Sequence, residues 1–175
     1  MAYDLERFCA EARTTLQSND ALDGKLACIA ETLAALLANP AFVAAAFADD
    51  PPPGQRLLFR DDATDFHVLA HVQRPGKSGM PHSHGTSWAI YGSARGFTDM
   101  TEWRRVNPES EAEAVLEPAS KYRLAEGRTH FYAPHVIHST AHPETAWVIR
   151  VTGTDLDRLP RFRFDPRRDR ILERA

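Results

Sequence analysis

The stretch PHSHGTSWAIYG, residues 81 to 92, sets two histidines one residue apart at the start of a run that reads as a β-strand. Residues i and i+2 of a strand project to one face, so His82 and His84 can offer two imidazole nitrogens to the same ion. A third ligand must then come from another strand. All eight histidines lie between His67 and His142. Four of them, His130, His135, His138 and His142, fall in the segment THFYAPHVIHSTAH and compete for that third place. His135 follows Pro134 in a turn pattern and is expected in solvent, whereas His130 sits on the strand leading into the turn. His142 is four residues beyond His138, a distance of about 13 Å along a strand, so the two cannot serve one ion. Its expected place is the cavity mouth.

The spacing around the pair is itself a pattern: Gly76, five residues, His82, one residue, His84, four residues, Ala89, six residues, Gly96. It resembles the first motif of the cupins, in which a Glu stands where Ala89 does here. Gly127, Pro134 and His138 follow in the order of the second cupin motif. From about residue 54 to 155 the chain resembles a cupin and, among cupins, the cysteine dioxygenase family of thiol dioxygenases. That resemblance implies a double-stranded β-helix. It also implies His138 as third ligand, Fe(II) held by three histidines, and addition of O2 to a small thiol to give a sulfinate. An alanine in the Glu position fits, because neutral ligands leave the metal its full charge and so favour an anionic thiolate. Imidazole donors also suit Zn or Ni, either of which is expected as a possible metal in protein as purified. Two alternatives stand beside this one: a three-histidine dioxygenase that cleaves a C–C bond of a diketone or enolate, and a non-catalytic metal-binding cupin.

Substrate recognition is expected from arginine, whose planar guanidinium grips a carboxylate through two parallel hydrogen bonds. The resemblance places Arg56 where the family holds the substrate carboxylate, and His71 on a strand that lines the pocket. Arg150 is read from its own surroundings: Trp147, Ile149 and Val151 form one apolar face, which turns Val148, Arg150 and Thr152 toward the barrel interior. The relatives carry Ser, His and Tyr at those three inner positions, so this chain departs from the family there, and the departure counts against cysteine and 3-mercaptopropionate as substrates. Tyr91 and Tyr132 are candidates for the lost hydroxyl. Arg56 and Arg150 together predict a pocket suited to a dicarboxylate thiol such as mercaptosuccinate.

The elements that must position these residues change character once along the chain. From Asp4 to Ala48 apolar residues recur at helical spacing, as in Leu22, Leu26, Ile29, Leu33 and Leu37, and Asn39 with Pro40 reads as the cap and first residue of a third short helix. DDPPPG at 49 to 54 ends the helical part, since consecutive prolines supply no amide donors. Short strands separated by Gly, Pro, Asp and Asn follow, the texture of an antiparallel sandwich or barrel. A mainly β domain is therefore expected, with helices over 1–50, a barrel over 54–155 and an extension over 156–175. The chain has 175 residues, the size of one domain, with 43% hydrophobic and 26% charged residues. No apolar run reaches the length of a membrane span, and the N-terminal residues lack the pattern of a secretory signal, so a cytoplasmic protein with no membrane partner is expected. A net charge of −3, with the arginines from Arg158 to Arg174 interleaved with acids, argues against nucleic acid. Partners are thus expected to be a small thiol and O2, with a homo-oligomer open. Cys9 and Cys28 show no paired spacing and receive no chemical role.

Overall fold

The computed structural model describes residues 3–49, 51–160 and 162–173. Three helices come first. α1 (Leu5–Gln17) starts where the Asp4 side chain accepts a hydrogen bond from the Arg7 amide, and it buries Phe8, Cys9 and Ala12 on one face. α2 (Leu22–Leu37) buries Leu26, Ile29, Leu33 and Leu37, the three- and four-residue intervals of a core-facing stripe. α3 (Pro40–Phe47) is capped by Asn39, whose Oδ1 accepts from the Ala41 amide at 3.0 Å, with Pro40 at the first position, where no amide donor is needed. Among the described residues no single helix is long and apolar enough to cross a membrane.

The strands are β1 (Gly54–Arg60), β2 (His67–Gln73), β3 (Lys77–Ser78), β4 (His82–Ser83), β5 (Ala89–Arg95) and β6 (Thr98–Arg105). They continue as β7 (Val115–Leu124), β8 (Thr129–Tyr132), β9 (Ile137–His142), β10 (Ala146–Thr152), β11 (Phe162–Arg163) and β12 (Arg170–Ile171). One sheet runs β1-β2-β10-β5-β8, and the other runs β11-β4-β9-β6-β7-β12 with β3 paired to β9. The chain crosses between the sheets after β2, β4, β5, β7, β8, β9 and β10, the repeated alternation that makes the jelly-roll connectivity of a double-stranded β-helix. The fold is mainly β with an N-terminal helical cap, as expected.

Strand alternation divides the buried residues into two sets. Val68, Ala70, Val72, Trp147, Ile149 and Val151 turn outward and pack with the helices into one cluster. Ala89, Tyr91, Met100, Leu124, Tyr132 and Val148 turn inward and form the other, between the two sheets. Fully burying a Leu- or Phe-sized side chain contributes about 1.5 to 3 kcal/mol, so the helical cap is held chiefly by this outer cluster. Contact there is close: a Cβ on Gly92 of β5 would stand 2.7 Å from Leu37 Cδ1, so glycine is what lets α2 lie directly on the sheet. A polar tie adds to it. The buried Asp61 carboxylate, in the turn between β1 and β2, accepts from Arg13 Nε of α1 at 2.7 Å and from the Thr64 amide at 2.9 Å.

Within the described residues the C-terminal extension pairs with the second sheet, β11 antiparallel with β4 and β12 parallel with β7. Two-residue strands carry no alternation pattern, which is why they are invisible to a periodicity test.

Candidate metal centre

His82 lies on β4 directly opposite His138 on β9. His84 stands one step beyond β4, in a turn closed by Gly85 at φ +59, where a Cβ would meet the Pro160 carbonyl oxygen at 2.9 Å. The turn is clamped from the other side, because the His135 amide donates to the Gly85 carbonyl at 2.8 Å. Three rings thereby converge, with centroids 5.3 Å apart for His82 and His84, 4.6 Å for His82 and His138, and 4.8 Å for His84 and His138. One ligand atom from each of the three lies within 4.8 Å of the other two, an arrangement able to hold a metal ion.

Protonation and tautomer suit that use. Burial pushes the His138 imidazole down to about 3, helped by the neighbouring His82, so it is neutral near pH 7 with a lone pair free for a metal. Its Nδ1 faces the Val136 carbonyl at 3.4 Å, and His82 Nδ1 faces the Met80 carbonyl at 3.0 Å. An N–H directed at a backbone carbonyl leaves Nε2 as the donor atom, the usual way a protein fixes the tautomer of a ligating histidine. The donor set therefore fits a divalent ion. Three imidazoles do not by themselves distinguish Fe from Zn or Ni.

Ala89 opens β5, is fully buried, and packs in the inner cluster. Two residues on, and so on the same inner face, Tyr91 brings its hydroxyl to 3.4 Å from both His84 Nε2 and His138 Nε2. Burial raises the Tyr91 phenol above its ordinary value against the pull of the Arg150 guanidinium. Tyr132 lies flat on the His138 ring, with centroids 4.2 Å apart and planes 4° apart, and its hydroxyl meets that of Tyr122 at 2.5 Å. It braces the histidine by stacking, while its polar end is engaged elsewhere.

Next to the histidines is a cavity of about 110 Å³. His82, Tyr91, His71, His142 and Arg150 line it together with Gln73, Thr98, Thr140, Met100, Leu124 and Val148, and no carboxylate is among them. Arg150 enters from β10, in register with Tyr91 of β5, and its buried Nε has no hydrogen-bond partner. His71, opposite Val148 in the β2–β10 register, likewise has a buried Nε2 without a partner. Burial, followed by the charge of Arg150, pushes His71 down to about 3. His142 bonds through Nδ1 to Thr98 Oγ1 at 3.2 Å, and burial pushes it down to about 4.

The structure thus brings together His82, His84, His138, His71, His142, Arg150 and Tyr91. It does not bring Arg56 with them. Arg56 is paired with Ala70, an outward-facing residue of β2, and its Nη2 donates to the Ala45 and Ala46 carbonyls at the end of α3. Its strand parity points it to the helical cap, so the expected carboxylate clamp at 56 is corrected and the two-arginine pocket goes with it. His135 is exposed at φ +67 and acts through its backbone. His130 is engaged by Glu102, Nε2 to Oε1 at 3.1 Å. Sequence reasoning left Thr98, Gln73 and Thr140 out of the pocket. Thr98 and Met100 alternate inward on β6, but nothing in the residue types marks that face as a cavity wall.

No protein-family model matches the chain, and no curated protein matches it in sequence. Solved structures similar to it include a cupin superfamily protein from Desulfitobacterium hafniense, at 13% identity over 65% of this chain and 87% of that one, with a TM-score of 0.45. A conserved protein with a double-stranded β-helix domain from Klebsiella pneumoniae is 15% identical over 70% of this chain and 94% of that one, with a TM-score of 0.44. A structure of the DMSP lyases RdDddP and RnDddQII is 12% identical over 57% of this chain, with a TM-score of 0.42, and the chain spans 44% of its length.

Proposed function

We propose that this protein is a non-haem Fe(II)-dependent thiol dioxygenase acting on a small thiol that carries one carboxylate. The observation behind the proposal is a group of three convergent histidines, one of which, His82, lines a small cavity together with an arginine whose Nε has no partner, and with no carboxylate in the lining. Iron held by His82, His84 and His138 would supply the redox chemistry that joins O2 to sulfur.

The remaining work falls to the chain's own side chains. Arg150 binds and orients the substrate carboxylate, a charge-assisted contact that also satisfies its buried Nε, otherwise without a hydrogen-bond partner. His71, uncharged near pH 7, gives a second polar contact from the neighbouring strand β2. Met100, Leu124 and Val148 close the apolar wall against which the carbon chain rests. A volume of about 110 Å³ is well below the roughly 300 Å³ at which pockets for drug-sized ligands begin, so a short chain is selected. One cation in the lining selects one carboxylate, and the cation also disfavours a substrate ammonium beside it. A short mercapto acid without an amino group meets these requirements. In the overall reaction the thiol proton is released, sulfur is oxidised, and both atoms of O2 end as sulfinate oxygens.

The test is O2 uptake by Fe(II)-loaded protein with a panel of short mercapto acids, with products identified by mass spectrometry. Uptake matched by sulfinate is the expected result. Turnover of a diketone but of no thiol would reassign the site to carbon–carbon cleavage. Stoichiometric metal with turnover of neither class would leave a metal-binding role and overturn the enzymatic proposal.

A further inference from the structure

Tyr91 meets two of the three histidines at the same distance. Its hydroxyl oxygen is 3.4 Å from His84 Nε2 and 3.4 Å from His138 Nε2. That separation is long for an O–H donor, which bonds best at about 2.7 to 2.8 Å, and one hydroxyl hydrogen cannot serve two acceptors well. A different relation between the three atoms gives the distance directly. Donors around a tetrahedral ion with bonds of about 2.1 Å stand about 3.4 Å from one another. The oxygen is therefore spaced from the two nitrogens as a further ligand of a shared ion would be.

We propose that the Tyr91 oxygen is a fourth protein donor to the metal, making the site three nitrogens and one oxygen. The inference rests on the metal-binding reading of the three histidines and is independent of the thiol chemistry. Strand geometry supplies the placement: Tyr91 is two residues beyond Ala89 and shares its inner face, so a long side chain from the next inward position spans the room that the alanine leaves. The ring is held there by Tyr132, edge to face at 5.7 Å, and by an edge-to-face contact with His138 at 5.8 Å. Arg150, its register partner on β10, brings its guanidinium to the same hydroxyl and hydrogen-bonds it. As the metal–oxygen bond forms, the phenol proton passes to solvent.

A phenolate bound to Cu(II) gives a charge-transfer band in the visible and enhanced phenolate ring modes in resonance Raman spectra. Metal-free protein titrated with Cu(II) alone is expected to show both at one ion per chain. Tyr132→Phe is expected to retain them. Tyr91→Phe should lose them while still binding Cu(II), with affinity weakened at least about tenfold. Wild-type protein that binds Cu(II) without phenolate modes, or Tyr91→Phe that keeps them, overturns the fourth donor and leaves the three histidines standing. Wild-type protein that binds no Cu(II) overturns the metal reading on which this rests, whatever the outcome of thiol assays.

Discussion

Arg150 is a charge on the inner face of a strand whose neighbours on that face are Val148 and Thr152, and no residue lining its cavity is acidic. With no acid beside it, this cation is a natural partner for a ligand carboxylate, through a charge-assisted hydrogen bond. Removing the guanidinium should cost a carboxylate-bearing substrate about 2 kcal/mol or more, a rise in KM of about thirtyfold. Arg150→Gln is therefore expected to raise KM steeply for a mercapto acid and little for an alkyl thiol without a carboxylate. Arg56→Ala, which removes hydrogen bonds to the end of α3 on the opposite face, should leave KM unchanged. Equal effects of Arg150→Gln on both substrates would remove the arginine from substrate binding. The contrast also marks what could be read in the sequence: Arg150 was legible from the alternation of its own strand. Arg56 was placed by analogy, and its partner Ala70 shows the analogy to fail at that residue.

At the scale of elements, the long pieces were legible and the short ones were not. The apolar period of α2, the cap at Asn39 and the alternation in β2, β5, β6 and β10 all carry physical signatures that the structure repeats. β7 carries Pro118 within it, a residue that reads as the end of a strand and hides the element's first half. β3, β4, β11 and β12 have two residues each, too few for any period, and their pairing is set by register with distant strands. His82 sits on one of these, so the sequence could announce the pair but not the strand that carries it. The convergence of His138 came from motif order, since spacing alone left three other histidines in contention. Tyr91 was legible only as a possibility. Its contact with two histidines follows from how β5 closes against β4 and β9, a tertiary fact with no local signal.

At the scale of the whole molecule, the helices insulate one side of the barrel and the inner cluster surrounds the histidines, so titratable imidazoles are held where water is scarce. His71 and His138 are pushed down to about 3 and His142 to about 4, chiefly by burial. An unfolded histidine takes up its proton near 6.5, so between that value and about 4 the unfolded chain binds more protons than the folded one. Stability should then fall as pH is lowered through this window, by up to about 1.4 kcal/mol per pH unit for each such group, with no contribution from them above neutrality. Denaturant unfolding of the metal-free protein from pH 8 to pH 5 checks this, and a flat profile would contradict it. The most direct test of the central claim, a metal centre of three histidines without a carboxylate, is elemental analysis of protein purified without added metal. About one ion per chain is expected in the wild type and in His135→Ala, whose side chain is exposed and outside the cluster, and little or none in His138→Ala. Full metal occupancy in His138→Ala would contradict the assignment.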